Sequence, residues 1–187
     1  MELGANDGVN SNTHLLEQQG WAGFCIEANP TTYALLTQNR QQCQNRNFAV
    51  GPNEEQLVFR HFEGKLYGHS GFRHTRTDAM WQELMNAWKD SAATMKDINV
   101  TSIPISRFFS DEQITTIDFF SLDVEGLEMA VLTHFPWKQV VVKVWAVETN
   151  KLNHRMFNSL MHSHGYLCRP HDAVNTICIL QTHISVI

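Results

Sequence analysis

Two rhythms of apolar residues run along this chain. Short, nearly unbroken apolar runs, as over residues 21–26, 117–122 and 140–147, alternate with longer stretches in which apolar residues return every three or four positions. The first kind is what a strand buried on both faces looks like, and the second marks one face of a helix. Helices are expected over 10–19, with Leu15 and Leu16 facing inward and Gly20 as the stop, and over 30–41, where Pro30 sits in the first turn ahead of Tyr33, Leu35 and Leu36. Two more are expected over 78–89, with Met80, Trp81, Leu84, Met85 and Trp88 on one face, and over 151–164, closed by Gly165. Proline just inside a helix start and glycine just past its end are the usual boundary signals. Shorter helices are expected over 104–109 and from Gly126 to Leu132.

The remaining strands are short. Met1-Glu2-Leu3 is a stub running directly into the turn Gly4-Ala5-Asn6-Asp7-Gly8, and further strands are expected at 47–50, 99–103, 166–169 and 175–181. Leu57, Phe59 and His61 alternate with exposed positions, as in a half-buried strand lying off the main series. Residues 63–76 are rich in Gly, His, Ser and Arg without periodicity, which reads as a long loop of the kind that carries function. Strand, turn, helix and strand in repetition predict an α/β fold, a doubly wound, mostly parallel sheet of about seven strands closed by an antiparallel hairpin strand. At 187 residues, 43% of them hydrophobic, a single domain over 1–187 is expected. A central strand usually runs about 5 to 6 residues, so the stub reads as the trimmed edge of a module excised from a longer protein.

Charge narrows the partners. A formal charge of −5, with no block of like charges, argues against a sequence-independent grip on nucleic acid and favours a neutral or weakly polar small molecule or glycan. No apolar run approaches the roughly 20 residues that span a bilayer, and no charged segment followed by an apolar one opens the chain. Cys25, Cys43, Cys168 and Cys178 show no paired spacing, so they read as reduced residues of a soluble, cytoplasmic protein.

The chemistry gathers at four acid-bearing segments that follow predicted strands: Glu2 to Gly8, Glu27, Asp123 to Glu125, and Glu148 to Asn150. Ligands of open parallel sheets bind at the carboxyl edge, near the point where strand order reverses, so these tips describe one site. Gly4 and Gly8 let backbone pass close to a ligand, but the three glycines of a dinucleotide turn are missing. An acid beside the turn repels phosphate and suits an ammonium or sulfonium group. Glu27, about twenty residues on, stands where a carboxylate accepts ribose hydroxyls.

Glu2-Leu3-Gly4-Ala5-Asn6-Asp7-Gly8, Gly23-Phe24-Cys25-Ile26-Glu27-Ala28-Asn29-Pro30, Asn47-Phe48-Ala49-Val50-Gly51, Ile117-Asp118-Phe119-Phe120-Ser121-Leu122-Asp123-Val124-Glu125-Gly126 and Val147-Glu148-Thr149-Asn150, in that order, resemble the FkbM family of methyltransferases. The resemblance implies a class I, Rossmann-like methyltransferase fold, with S-adenosylmethionine as cofactor and methyl transfer to a hydroxyl, foremost of a sugar. It implies that Gly4, Ala5, Asn6, Asp7 and Gly8 cradle the methionine part of the cofactor, with Glu2 near its amino group. Glu27 then holds the ribose, Ala28 and Asn29 flank the adenosine, Ala49 and Val50 lie near the adenine, and Asp123 stands beside the sulfonium. The chain departs from the family pattern in its short first strand and in Ala28, where proline is common.

A hydroxyl is a weak acid, so transfer calls for a general base or a metal that lowers its pKa. Asp123, Glu125, Glu148 and His69 are the candidate catalytic residues. Asp123, Glu148 and Asn150 carry hard oxygen ligands of the type magnesium or manganese prefers, the alternative being a set of helix-capping and strand-end groups. Arg73, His74 and Arg76 offer charge for a substrate anion, although a solvated loop explains them as well. Two rivals share these features: a nicotinamide-dependent oxidoreductase, and a non-catalytic interaction domain on a methyltransferase fold.

Overall fold

A computed structural model describes residues 1–62, 69–87 and 94–182. Its main sheet is built from β1 (Glu2–Leu3), β2 (Phe24–Ile26), β3 (Gln44–Arg46), β8 (Thr116–Leu122), β9 (Val141–Glu148), β10 (Tyr166–Pro170) and β11 (Asn175–Leu180). Their spatial order is β10-β11-β9-β8-β1-β2-β3. The pairings among β3, β2, β1, β8 and β9 are parallel, and β11 runs antiparallel to both β9 and β10. The sheet is therefore mixed, with strand order reversing beside β1, where the glycine turn begins.

The runs over 117–122 and 140–147 fold as read, because β8 and β9 pack among helices on a core of Phe120, Phe135, Trp145 and Phe157. Phe120 and Trp145 stack at 4.4 Å between ring centroids, a contact that adds about 0.5–1.5 kcal/mol to the burial itself. The helices are α1 (His14–Gln18), α2 (Pro30–Asn39), α3 (Asp78–Ala87), α4 (Ile105–Asp111), α5 (Glu128–Thr133) and α6 (His154–Ser163). Helix α1 is shorter than its pattern, and Leu15, expected inside, is 70% exposed. One turn and a half cannot carry a full apolar face, and Leu16 is only half-buried.

A second, four-stranded sheet stands over one end of the first. It comprises β4 (Ala49–Gly51), β5 (Glu55–Phe62), β6 (Gly71–Phe72) and β7 (Met95–Pro104) in the order β4-β7-β5-β6. This corrects two expectations. The apolar residues at 47–50, read as the third strand of the main series, belong instead to the second sheet, and the main sheet's edge is the polar Gln44–Arg46. The segment read as an aperiodic loop contains β6 and a 3-10 turn at Arg73–Thr75. Its first part, 63–68, lies outside the described residues, as do Trp88 and Lys89 of the expected 78–89 helix.

The expectation of reduced thiols is also overturned. Cys25 is joined to Cys43 across the β2-α2-β3 crossover, and Cys168 to Cys178 across the β10-β11 hairpin. Neither separation, 18 or 10 residues, carries a sequence signature. Closing a loop of the first length contributes about 3 kcal/mol by restricting the unfolded chain. No helix among the described residues is long and apolar enough to cross a membrane.

Candidate active site

The parallel strands β1, β2 and β8 all end on one edge, and the inner face of the second sheet closes over it. Between them lies an open cleft. Leu3, Gly4 and Asn6 line it from the first turn, Glu27 to Asn29 from the second, and Asp123 to Glu125 from the tip of β8. Phe48 to Val50, Phe59, Ser70 and Phe72 form the opposite wall.

The first turn is held by its neighbours. The N–H groups of Gly4 and Ala5 both donate to the carbonyl of Ile26, at 2.9 and 3.1 Å. Gly4 has φ +82°, and a Cβ built there would fall 1.6 Å from the Asp123 carbonyl oxygen, so glycine is required both for conformation and for the approach of β1 to β8. Asn6, at φ +52°, donates its N–H to Glu27 Oε2 at 2.8 Å. Ala5, Asp7 and Gly8 lie behind this surface: Ala5 is fully buried, Asp7 accepts from the N–H groups of Val9 and Asn10, and Gly8 packs on the stem of Arg40.

Glu2 faces the other way. Its buried carboxylate accepts from Ser11 Oγ (2.5 Å), Asn12 N–H (2.9 Å) and Thr13 Oγ1 (2.6 Å) and lies 3.6 Å from the buried Arg40, which also pairs with Glu17. It anchors the approach to α1 and does not line the cleft, so its expected place beside a ligand's amino group is not what the structure shows.

Glu27 is 8% exposed, and its Oε1 accepts the N–H of Asn29 at 2.8 Å. Burial raises its pKa, an effect that the N–H donors of Asn29 and Asn6 oppose. One carboxylate thus ties the first turn to the second while facing the cleft. Asn29 caps α2 through Thr31 N–H, and its Nδ2 donates to Nδ1 of the buried His61 at 2.7 Å, which couples the second tip to β5.

At the third tip, Asp123, Glu128 and Glu148 bring carboxylate oxygens within 4.8 Å of one another. Burial, then the charges of Glu148, Glu125 and Glu128, push the Asp123 carboxyl up to about 8, with Lys151 opposing. Glu125, held at φ +56°, accepts from Arg76 Nη2 (2.6 Å) and from Lys151 Nζ (2.8 Å), and Lys151 also reaches Glu148 at 3.3 Å. Arg76 in turn lies 4.6 Å from the ring centre of Trp81, linking α3 to the site. His69 is exposed and does not line the cleft; its carbonyl accepts from Arg76.

The expected oxygen set for a metal is not the one assembled. Asn150 is exposed, and the third carboxylate is Glu128. Glu128 is committed to the N–H groups of Val124 and Gly126, and Glu148 to the Lys151 ammonium. Asp123, Glu128 and Glu148 are near enough to share a cation, which would compete with the main-chain donors on Glu128 and the ammonium on Glu148.

Glu128 and Lys151 were not singled out as site residues by the sequence, and Arg76, read there as offering charge to a substrate anion, is paired with Glu125. Glu128 carries the clearest positional signal, three residues after Glu125 at the head of a helix, yet an acid there is usually solvated, whereas this one is fully buried. Glu128→Ala leaves two main-chain donors without their acceptor, and a loss of about 2–6 kcal/mol follows at roughly 1–3 kcal/mol per donor. Thermal denaturation should show the midpoint falling, with Glu128→Gln recovering more than half of the loss; an unchanged Glu128→Ala midpoint would show that the turn does not depend on this carboxylate.

This strand order, with a glycine turn on β1, an acid ending β2 and another ending β8, defines a methyltransferase-type α/β fold. Residues 2–168 match the family model described as the Methyltransferase FkbM domain. The chain belongs to that family and is a methyltransferase, which sets aside the oxidoreductase alternative. No curated protein and no solved structure matches the chain.

Proposed function

We propose that this protein is an S-adenosylmethionine-dependent O-methyltransferase acting on a hydroxyl of a neutral sugar or glycan. The observation that carries the reading is that Glu27 and Asp123, from separate strand tips, line one cleft at the point where strand order reverses. On this reading the Gly4 to Asn6 backbone receives the methionine part, the Glu27 carboxylate the ribose hydroxyls, and Phe48, Ala49 and Val50 the adenine. When bound, the cofactor supplies an electrophilic methyl group on a sulfonium: the acceptor oxygen gains the methyl as the sulfur–carbon bond breaks.

Asp123 accepts the hydroxyl proton. Burial and the neighbouring acids raise its pKa to about 8, and a cation placed beside it favours the carboxylate. Glu125 and Glu148 are satisfied by Lys151, with Arg76 also serving Glu125, and so shape the rim rather than compete for the proton. Since these cations are already paired, and no Lys or Arg lines the cleft among the described residues, the site offers no free positive charge to an anionic acceptor and suits uncharged polyols.

Incubation with methyl-labelled S-adenosylmethionine and a panel of neutral glycans, alongside their phosphorylated counterparts, tests this. The expected product is a methyl ether on a neutral glycan. Label found only on nitrogen or on a carboxylate, or no cofactor binding by calorimetry, refutes the proposal.

A further inference from the structure

We propose that Asn99 is the acceptor of an N-linked glycan on a chain that folds in an oxidising compartment. The inference does not depend on the proposed methyl acceptor; it comes from the cysteines and from the outer face of the second sheet.

All four cysteines are paired and none is free. Cytosolic thiols are kept reduced, whereas secreted and lumenal chains hold such bridges. Both pairs join neighbouring strands of the main sheet or the residue leading into one, and Cys25 and Cys178 are fully buried, so the bridges are part of the packed fold.

Asn99-Val100-Thr101 is an acceptor sequence for N-glycosylation, with a residue other than proline in the middle. Asn29-Pro30-Thr31 has the outer residues but is excluded by its proline. Asn99 and Thr101 lie on β7, and both are exposed. The register fixes which way they face. Asn99 is opposite Val58 and Ile98 is opposite Phe59. Phe59 lines the cleft, so Ile98 shares the inner face, while Asn99 and Val58 share the outer one. A glycan on Asn99 therefore leaves the cleft open. It also lies beside Val58, an apolar side chain left 39% exposed on that face.

In the modification, the Asn99 side-chain nitrogen bonds to the anomeric carbon of a lipid-diphosphate-linked oligosaccharide; the lipid diphosphate leaves and the nitrogen gives up one proton. Each disulfide forms as two thiols pass two electrons and two protons to the disulfide of a thiol oxidoreductase.

The test uses the full chain passed through a eukaryotic secretory lumen, and the same protein recovered from the cells that make it. Expected in both are intact bridges by thiol-blocking mass spectrometry, a mobility shift on enzymatic removal of N-glycans, and the attachment mapped to the Asn99 peptide. Asn99→Gln should abolish the shift and leave S-adenosylmethionine affinity within about twofold, as expected for a surface change remote from the cleft. An unmodified Asn99 in protein whose bridges have formed overturns the glycan assignment, as does a shift that persists in Asn99→Gln. Four free thiols in protein from its own cells overturn the compartment.

Discussion

Asp123→Asn lowers the methyl-transfer rate by about 10²–10⁴-fold, the usual contribution of a positioned general base, while S-adenosylmethionine still binds. The amide fills the same space but cannot take a proton from the acceptor. In the wild type, kcat/KM for S-adenosylmethionine, which reports the free enzyme, rises with pH through about 8; in Asp123→Asn that limb disappears. Stability moves the opposite way. The folded carboxyl titrates near 8 instead of 3.8, so between those values the native state holds a proton that the unfolded chain has released. The stabilisation is complete below the unfolded value and is lost as pH rises through 8. Above pH 8, Asp123→Asn is therefore more stable than the wild type, with the higher thermal midpoint; below pH 4 the two converge. Full turnover by Asp123→Asn would remove this residue from the chemistry.

Glu27→Gln weakens S-adenosylmethionine binding by about 10–100-fold, since a hydrogen bond to a charged group contributes roughly 1.5–3 kcal/mol. The amide oxygen can accept from only one of the Asn6 and Asn29 N–H groups, which the carboxylate serves through separate oxygens, so Glu27→Gln also loosens the link between the two turns. Calorimetry with a 2′-deoxyribose analogue of the cofactor identifies the contact: the wild type should lose affinity for the analogue, whereas Glu27→Gln should barely distinguish the two ligands. Equal discrimination by both proteins would place the ribose elsewhere.

Where burial decides the structure, the sequence was a sufficient guide. The cores of β8 and β9 are apolar runs bounded by turns, and Gly4 and Glu27 stand where strand ends and backbone freedom put them. Where structure is decided by distant partners, it was not. The sheet-edge strand Gln44–Arg46 has no apolar signal because a polar edge needs none, so the nearby apolar residues drew the assignment to themselves. The pairing of Cys25 with Cys43 is settled by adjacent strands, not by spacing. Glu2 and Glu27 look alike as strand-end acids; only the buried Arg40 and the hydroxyls of Ser11 and Thr13 turn the first away from the cleft. Glu128 became legible only once its carboxylate met the N–H groups of Val124 and Gly126.

The contact of Gly4 with the Asp123 carbonyl has a further consequence. On the proposed function, the cofactor turn and the proposed base are fastened together at a point with no room for a side chain, so neither can drift without the other. The wall carrying Ser70 and Phe72 belongs to a different sheet and shares none of that constraint. On the same reading, new acceptors can be accommodated by rewriting that wall, with the half proposed to hold the cofactor passed on unchanged.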